Sequence, residues 1–212
     1  LQKANTPYFV WAGADDIWDK DFLQENVNFL ENKKKCVGCI SEVETFGNSN
    51  DREFSNMFFA RFVKKIKIGK YGPHEALGTY EEKSKVYLNA NSAQAIYGIF
   101  RTDVLKKSYV NRSFLAVDLA IILNVLKYGD FHVTGRKLVK FYRGGFSSKG
   151  IISSTKKLKH NFIGRIFPYY PFTKWCFNNI GKIIFFNNIF HFIKLNITGE
   201  LAIIYDILLS KK

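Results

Sequence analysis

Residues 7–18 read Pro7-Tyr8-Phe9-Val10-Trp11-Ala12-Gly13-Ala14-Asp15-Asp16-Ile17-Trp18, an apolar run followed by a turn with two adjacent acids. The β-rich run Pro7–Ala12 ends at a glycine, which predicts a buried strand. Asp15 and Asp16 then follow the strand's carboxyl end, where open α/β sheets bind ligands. Two carboxylates there suit a divalent cation, Mg²⁺ or Mn²⁺, because these ions prefer oxygen ligands. The alternative is an ordinary strand-to-helix turn whose acids favour the N-terminus of the next helix.

Beyond this turn, helical and strand-like segments alternate along the chain. Asp19 is a candidate cap for a helix over residues 20–33, with Leu23, Val27 and Leu30 on one face. The sequence predicts further strands at residues 36–46, 94–101, 133 and 138–142, and helices at residues 79–88, 102–108 and 114–127. Alternation of this kind predicts an α/β fold.

The helix predicted over residues 114–127, capped by Ser113, carries an acid on its apolar side. Asp118 falls inside the apolar arc, between Ile122 and Val125 on a helical wheel. Partial burial raises the pKa of a carboxyl toward a value that suits proton transfer. The alternative is a carboxylate in an early helical turn that backbone donors satisfy.

The segment Tyr142-Arg143-Gly144-Gly145 is another candidate for phosphate binding. An arginine beside two glycines can present its guanidinium to a phosphate while the backbone comes close. Taken alone, an ordinary glycine turn with a surface arginine explains the segment better.

Composition excludes several classes of protein. Hydrophobic residues make up 47% and aromatic residues 17% of the 212 residues, which excludes a disordered chain. Three cysteines exclude a disulfide-built scaffold. No apolar run reaches the ~18–20 residues that cross a bilayer.

The net charge of +14 is concentrated at the end of the chain. Residues 156–212 carry 9 Lys and Arg against 2 Asp and Glu, which is half of that net charge, and they are crowded with aromatic residues. This mixture predicts a surface for anionic lipid head groups or nucleic acid. The alternative is a small helical cap whose aromatic side chains pack on the domain and whose lysines are solvated.

Four segments in order resemble a family 2 glycosyltransferase of the GT-A fold. Residues 8–18 resemble its strand and metal-binding DxD turn, residues 97–105 a strand and turn near the acceptor site, the helix around Asp118 the one that carries the catalytic base, and residues 141–147 the closing segment. The resemblance covers residues 1–148 and implies the C-terminal part of a GT-A domain, with a mixed sheet flanked by helices. Residues 149–212 would then form a basic, aromatic helical tail.

The chain departs from the family pattern in three places. Gly13 stands where the first Asp of DxD is expected, and Val117 precedes Asp118 where the family often has a second acid. The first βα units, which in the family hold the nucleotide base and ribose, are not matched. The chain is therefore expected to be part of a longer protein.

The resemblance implies inverting transfer of a sugar from a nucleotide-sugar donor to an acceptor hydroxyl. Asp118 would accept the hydroxyl proton. Asp15 and Asp16 would hold Mg²⁺ or Mn²⁺ at the donor diphosphate, and Arg143 would add positive charge there.

Trp18, Tyr97 and Arg101 would line the acceptor side, toward a cell-surface glycan or a lipid-linked acceptor. The basic tail would hold the enzyme in the cytoplasm against the inner membrane face. Two other classes stay open: a basic nucleic-acid-binding protein, which would leave the acids unexplained, and a catalytically inactive fragment at the membrane surface.

Overall fold

The structure, a computed structural model, describes residues 1–47, 72–90, 92–142, 151–158 and 161–210. The strands are β1 (Tyr8–Phe9), β2 (Ile17–Trp18), β3 (Cys36–Phe46), β4 (Ile99–Arg101) and β5 (Asp130–Tyr142). The helices are α1 (Phe22–Asn32), α2 (Tyr80–Ala90), α3 (Thr102–Ser108), α4 (Val117–Val125), α5 (Ile151–Lys157), α6 (Phe162–Ile166), α7 (Tyr170–Asn179), α8 (Lys182–Asn187) and α9 (Ile189–Ser210). The predicted α/β class is confirmed, since these elements form one mixed sheet with helices.

The five strands follow the order β1-β4-β3-β5-β2. The two long strands, β3 and β5, are parallel, and their pairing runs from Cys36 opposite Asp130 to Phe46 opposite Tyr142. The other pairings are antiparallel. The carboxyl ends of β3 and β5 therefore lie side by side at one end of the sheet. Strand β2 pairs with the last part of β5, so the acidic turn that precedes β2 lies at that same end.

Helix α1 confirms the predicted range but not the predicted face. Phe22, Asn26 and Leu30 are buried, whereas Leu23 is 56% exposed. Asn26 can lie in the core because its side-chain amide donates to the Phe22 carbonyl at 2.8 Å. Of the predicted face, Leu30 is buried, and Phe22 and Asn26 take the places of Leu23 and Val27.

Other predicted segments differ from the structure. The buried strand predicted over Pro7–Ala12 is the two-residue β1, and its Tyr8 and Phe9 are only half-buried. The predicted strand over residues 94–101 is a 3₁₀ turn at Gln94–Tyr97 followed by the three-residue β4. The separate pieces at residues 133 and 138–142 belong to one strand, because β5 pairs with β3 along its whole length.

The chain divides into two compact units. The first comprises the described residues within Leu1–Phe46, Gly69–Asn111 and Asp118–Tyr142, and it contains the whole sheet. The second comprises the described residues within Gly47–Ile68, Arg112–Val117 and Arg143–Lys212. Its core is aromatic, with Phe185 and Phe192 stacked 4.6 Å apart. Of the helices in the described ranges, none combines the length and the apolar character needed to cross a membrane.

Candidate functional site

The acidic turn brings two carboxylates to one point. The Asp16 backbone N–H donates to the Gly13 carbonyl at 3.4 Å and closes the turn. A Cβ placed on Gly13 would lie 3.3 Å from Asp15 Oδ1 and still closer to Asp16 Oδ2. Because glycine has no side chain, both carboxylates can converge over it.

Asp16 is fixed by the end of β5. Its Oδ1 accepts a hydrogen bond of 3.1 Å from the Tyr142 backbone N–H. Partial burial raises the pKa of Asp16; the Tyr142 hydrogen bond opposes that rise, and the neighbouring Asp15 charge adds to it. Among the ion pairs of the described residues, none includes Asp15 or Asp16. Within the described residues, the turn is thus a crowded anionic corner whose carboxylates have no ion-pair partner.

Trp18 and Tyr97 lie along the same end of β5. Trp18 pairs with Val139 in the sheet, and its ring meets Phe22 edge-on at 4.6 Å. The Trp18 Nε1 donor is buried and has no acceptor in the described part of the chain. The Tyr97 ring lies 5.2 Å from that of Phe141. Two of the three predicted acceptor-side residues are therefore near the acidic turn.

Arg101 lies at the other end of the sheet. Its neighbour Phe100 pairs with Gly38, near the start of β3, whereas Tyr142 pairs with Phe46 at the end of β3. Eight residues of extended strand separate those levels by about 25 Å. The Arg101 guanidinium donates to the carbonyls of Leu30 at 2.6 Å and Cys36 at 3.0 Å, and to the Tyr8 hydroxyl at 3.3 Å. These bonds tie β4 to the C-terminus of α1.

Asp118 lies in the first turn of α4, which begins three residues later than predicted. Ala116, just before the helix, has φ 65°, a left-handed conformation that is uncommon for alanine. The Asp118 side chain reaches solvent at the helix end, although Ile122 and Val125 are buried. Surrounding protein nevertheless raises the pKa of its carboxyl by desolvation.

No hydrogen bond or ion pair joins Asp118 to the rest of the described chain, and desolvation is the sole cause of its pKa shift. Backbone capping, the alternative interpretation of this residue, would have lowered the pKa instead. Asp118 is therefore an accessible carboxylate that holds its proton more tightly than an ordinary aspartate.

The remaining predicted residue, Arg143, follows Tyr142 in the sequence and lies outside the described residues. Sequence reasoning missed two contributors to the acidic corner: Gly13, which makes room for the carboxylates, and the Tyr142 amide, which holds one of them. The Gly13 signal was present as an apparent departure from DxD. The Tyr142 contact depends on the pairing of distant strands and left no local signal.

Asp15 and Asp16 fit a divalent cation only with help from other oxygen atoms. Across the described ranges, no group of three or more His, Cys, Asp and Glu side chains could hold a metal ion. Mg²⁺ commonly takes one or two carboxylates, with water and substrate phosphate completing its coordination. A metal–diphosphate pair is therefore a better match to this corner than a metal ion alone.

No protein-family model and no curated protein matches the chain.

Proposed function

We propose that the chain is the C-terminal part of a GT-A glycosyltransferase that moves a sugar from a nucleotide-sugar donor to an acceptor hydroxyl with inversion. The observation that carries the proposal is the convergence of the Asp15 and Asp16 carboxylates over Gly13 at the carboxyl end of the sheet. The order of the four motifs along the sequence supports the same family. Open α/β sheets bind phosphorylated ligands at this position.

In this proposal Asp15 and Asp16 hold Mg²⁺ or Mn²⁺ together with the donor diphosphate. Burial is the main cause of the raised pKa of Asp16, and the Asp15 charge adds to it; a bound cation would offset both effects. When bound, the cation stabilises the charge that gathers on the diphosphate as it leaves. Arg143, one residue beyond the Tyr142 amide in the sequence, is proposed to add positive charge to the same oxygens.

Asp118 is proposed as the general base. Its carboxylate would accept the proton of the acceptor hydroxyl as that oxygen attacks the anomeric carbon. A raised pKa makes it a better proton acceptor than an ordinary aspartate, and its solvent exposure leaves it reachable by an incoming hydroxyl. A single displacement without an enzyme nucleophile inverts the configuration at the anomeric carbon.

Trp18 and Tyr97 are proposed to line the acceptor side. Both lie along the last residues of β5, and Trp18 has an indole N–H that finds no acceptor in the described part of the chain. Arg101 is better explained as a structural residue, since its guanidinium already bonds to two carbonyls about 25 Å from the acidic corner.

The first test is calorimetric titration of residues 1–212 with inorganic pyrophosphate, in the presence of Mn²⁺ or of a chelator. Pyrophosphate presents the diphosphate shared by all nucleotide-sugar donors. We expect binding that requires Mn²⁺ and is lost in Asp15→Asn. The matched control is Asp19→Asn, which removes the same charge four residues away, from a carboxylate already bonded to the Asp21 amide at 2.9 Å.

Pyrophosphate binding that is the same with chelator and in Asp15→Asn would remove the metal from the proposal. The second measurement is release of nucleoside diphosphate from a panel of nucleotide sugars. Metal-dependent pyrophosphate binding without turnover of any donor would instead favour the inactive fragment.

A further inference from the structure

Helix α9 presents apolar side chains on two opposite faces. One face is buried within the second unit and includes Phe192, Leu195 and Gly199. The other face is exposed. It consists of Phe190, Ile193, Ile197, Ile204 and Leu208, which we call the α9 stripe. Successive members are three, four, seven and four residues apart, so they form one line along the helix.

The buried face fixes the orientation of α9 within its unit. The Phe192 ring stacks on that of Phe185, and the Asn196 amide donates to the Thr173 hydroxyl at 2.8 Å. At Gly199 the helix approaches the Pro168 ring so closely that a Cβ would lie 2.8 Å from its Cγ. Rotation that would bury the α9 stripe against this unit would break all three contacts.

The α9 stripe is long and strongly exposed. Phe190 and Leu208 are 18 helical steps apart, which corresponds to about 27 Å along the helix. Phe190 is 83% exposed, the highest value among the exposed large apolar side chains of the described residues. Single exposed apolar residues are common, but a continuous line of them marks an interaction surface.

Charge distinguishes between possible partners for the α9 stripe. The Lys and Arg side chains of described residues in the second unit are all exposed: Arg112, Lys156, Lys157, Arg165, Lys174, Lys182 and Lys194. Its two acids are half-buried, and Asp206 accepts a hydrogen bond of 3.0 Å from the Ile152 amide. A second copy of this strongly basic surface would meet it with like charge. Nucleic acid would match the charge but leave the apolar line uncovered.

We infer that α9 lies in the plane of an anionic lipid surface. The α9 stripe enters the boundary between head groups and acyl chains, and the exposed Lys194, next to Ile193 on the same helix, meets the anionic head groups. Helices of this kind bind through buried apolar area and electrostatic attraction together. The inference identifies the residues that insert, and it does not depend on sugar transfer.

The test is sedimentation of residues 1–212 with vesicles of phosphatidylcholine containing about 30 mol% phosphatidylserine, compared with pure phosphatidylcholine vesicles. We expect the double substitution Phe190→Ser with Ile197→Ser to weaken binding to the anionic vesicles by about tenfold or more. The matched control is Leu23→Ser, which removes an exposed apolar side chain from α1. This control should bind as tightly as the parent protein.

A second variant reports insertion without weakening it. In Phe190→Trp the added fluorescence should shift to shorter wavelength on addition of anionic vesicles and should be quenched by brominated lipid. In Leu23→Trp the added fluorescence should neither shift nor be quenched. Binding should also fall as salt is raised, because head-group attraction is screened.

Equal vesicle binding by the parent and the double variant, or no binding by either, would overturn the inference. So would a dimer in solution that the double variant abolishes, since a second copy would then cover the α9 stripe.

Discussion

Two groups of charged side chains at opposite ends of the sheet differ in how they are paired. At the start of β3 and β5, charged groups are buried with partners: Lys83 Nζ donates to the Gly129 carbonyl at 2.8 Å and to Asp130 Oδ1 at 3.2 Å. At the carboxyl end, Asp15 and Asp16 crowd together, and the pKa of Asp16 is raised. The paired end stabilises the fold, whereas the crowded end keeps like charges together at a cost in stability.

The presence or absence of a partner separates the charges that the fold satisfies from the charges that are candidates for ligand binding. Lys83 is only 5% exposed, and an ion at that depth persists only when it is paired and hydrogen-bonded. Asp16 and Asp118 have pKa values raised by desolvation, with no cation beside either in the described residues. Groups with that property are concentrated at ligand-binding and catalytic sites.

The largest effect is expected at Asp118. If the proposed transferase activity is found and Asp118 is its base, Asp118→Asn should lower the rate of nucleoside diphosphate release. We expect a decrease of ~10²–10⁴-fold, the usual contribution of a positioned base. Substrate affinity should change little, because the lost interaction belongs to the transition state. Initial rates at saturating and limiting donor measure both quantities.

The matched control for Asp118 is Asp103→Asn, at a carboxylate in the first turn of α3 that lies 4.0 Å from the Lys107 ammonium. Near-normal turnover in Asp118→Asn with an intact circular dichroism spectrum would show that the base lies elsewhere. A loss in Asp103→Asn would then identify that residue as the candidate.

The paired end is tested by Lys83→Met. The substitution keeps the side-chain length but leaves Asp130 and the Gly129 carbonyl without their donor, so we expect the free energy of unfolding to fall by about 3 kcal/mol. Urea denaturation followed by circular dichroism measures it. Lys85→Met, at an exposed position on the same helix, should change stability by less than about 0.5 kcal/mol. Equal losses in the two variants would mean that the buried pair adds nothing to stability.

A smaller loss is expected at Arg101. Arg101→Lys keeps the charge but not the planar fork that reaches Leu30 and Cys36, so we expect a loss of about 1–2 kcal/mol in the free energy of unfolding. If the proposed transferase activity is found, the KM for donor and for acceptor should stay unchanged in Arg101→Lys. A raised acceptor KM with unchanged stability would indicate that Arg101 binds the acceptor. It would contradict the assignment of Arg101 as a structural residue.

Local sequence was sufficient for elements that local chemistry determines. The strand at residues 36–46 and the helix at residues 102–108 have the predicted limits, because a β-rich run and a short helical pattern are both readable over a few residues. The face of α1 was predicted wrongly because the core position of Asn26 depends on its bond to a carbonyl one turn earlier. The length of β5 could not be predicted, since its pairing partner β3 lies far away in the chain.

In the candidate site, too, local features could be predicted and features that depend on strand pairing could not. The sequence placed Asp15 and Asp16 directly after a buried strand over residues 7–12, whereas β1 is limited to Tyr8–Phe9 and the strand end beside the acids is that of β5. Trp18 and Tyr97 lie near them, but Arg101 does not, because β4 runs antiparallel to β3 and carries Arg101 toward the opposite end. Strand direction is a property of the whole sheet, and no local pattern around Arg101 could reveal it.

The smallest effect is expected at Asp16, and it tests the crowded end directly. A carboxyl whose pKa is raised by folding destabilises the protein when it is ionised. Asp16→Asn removes that charge yet keeps an oxygen that can accept from the Tyr142 amide. Because the group is partly exposed, we expect the free energy of unfolding at pH 7 to rise by only a few tenths of a kcal/mol, or about 1 °C in Tm.

The pH dependence of this stability difference tests its cause. The advantage of Asp16→Asn should be present at neutral pH and should disappear as the pH falls through the raised pKa toward the ordinary value of 3.8, because the parent carboxyl is then neutral as well. Thermal unfolding of both proteins at several pH values measures it, with Asp19→Asn as the matched control. A loss of stability in Asp16→Asn at pH 7 would mean that favourable contacts hold the ionised carboxylate. The acidic turn would then be as well satisfied as the Lys83–Asp130 pair, which would contradict a cation site at Asp15 and Asp16.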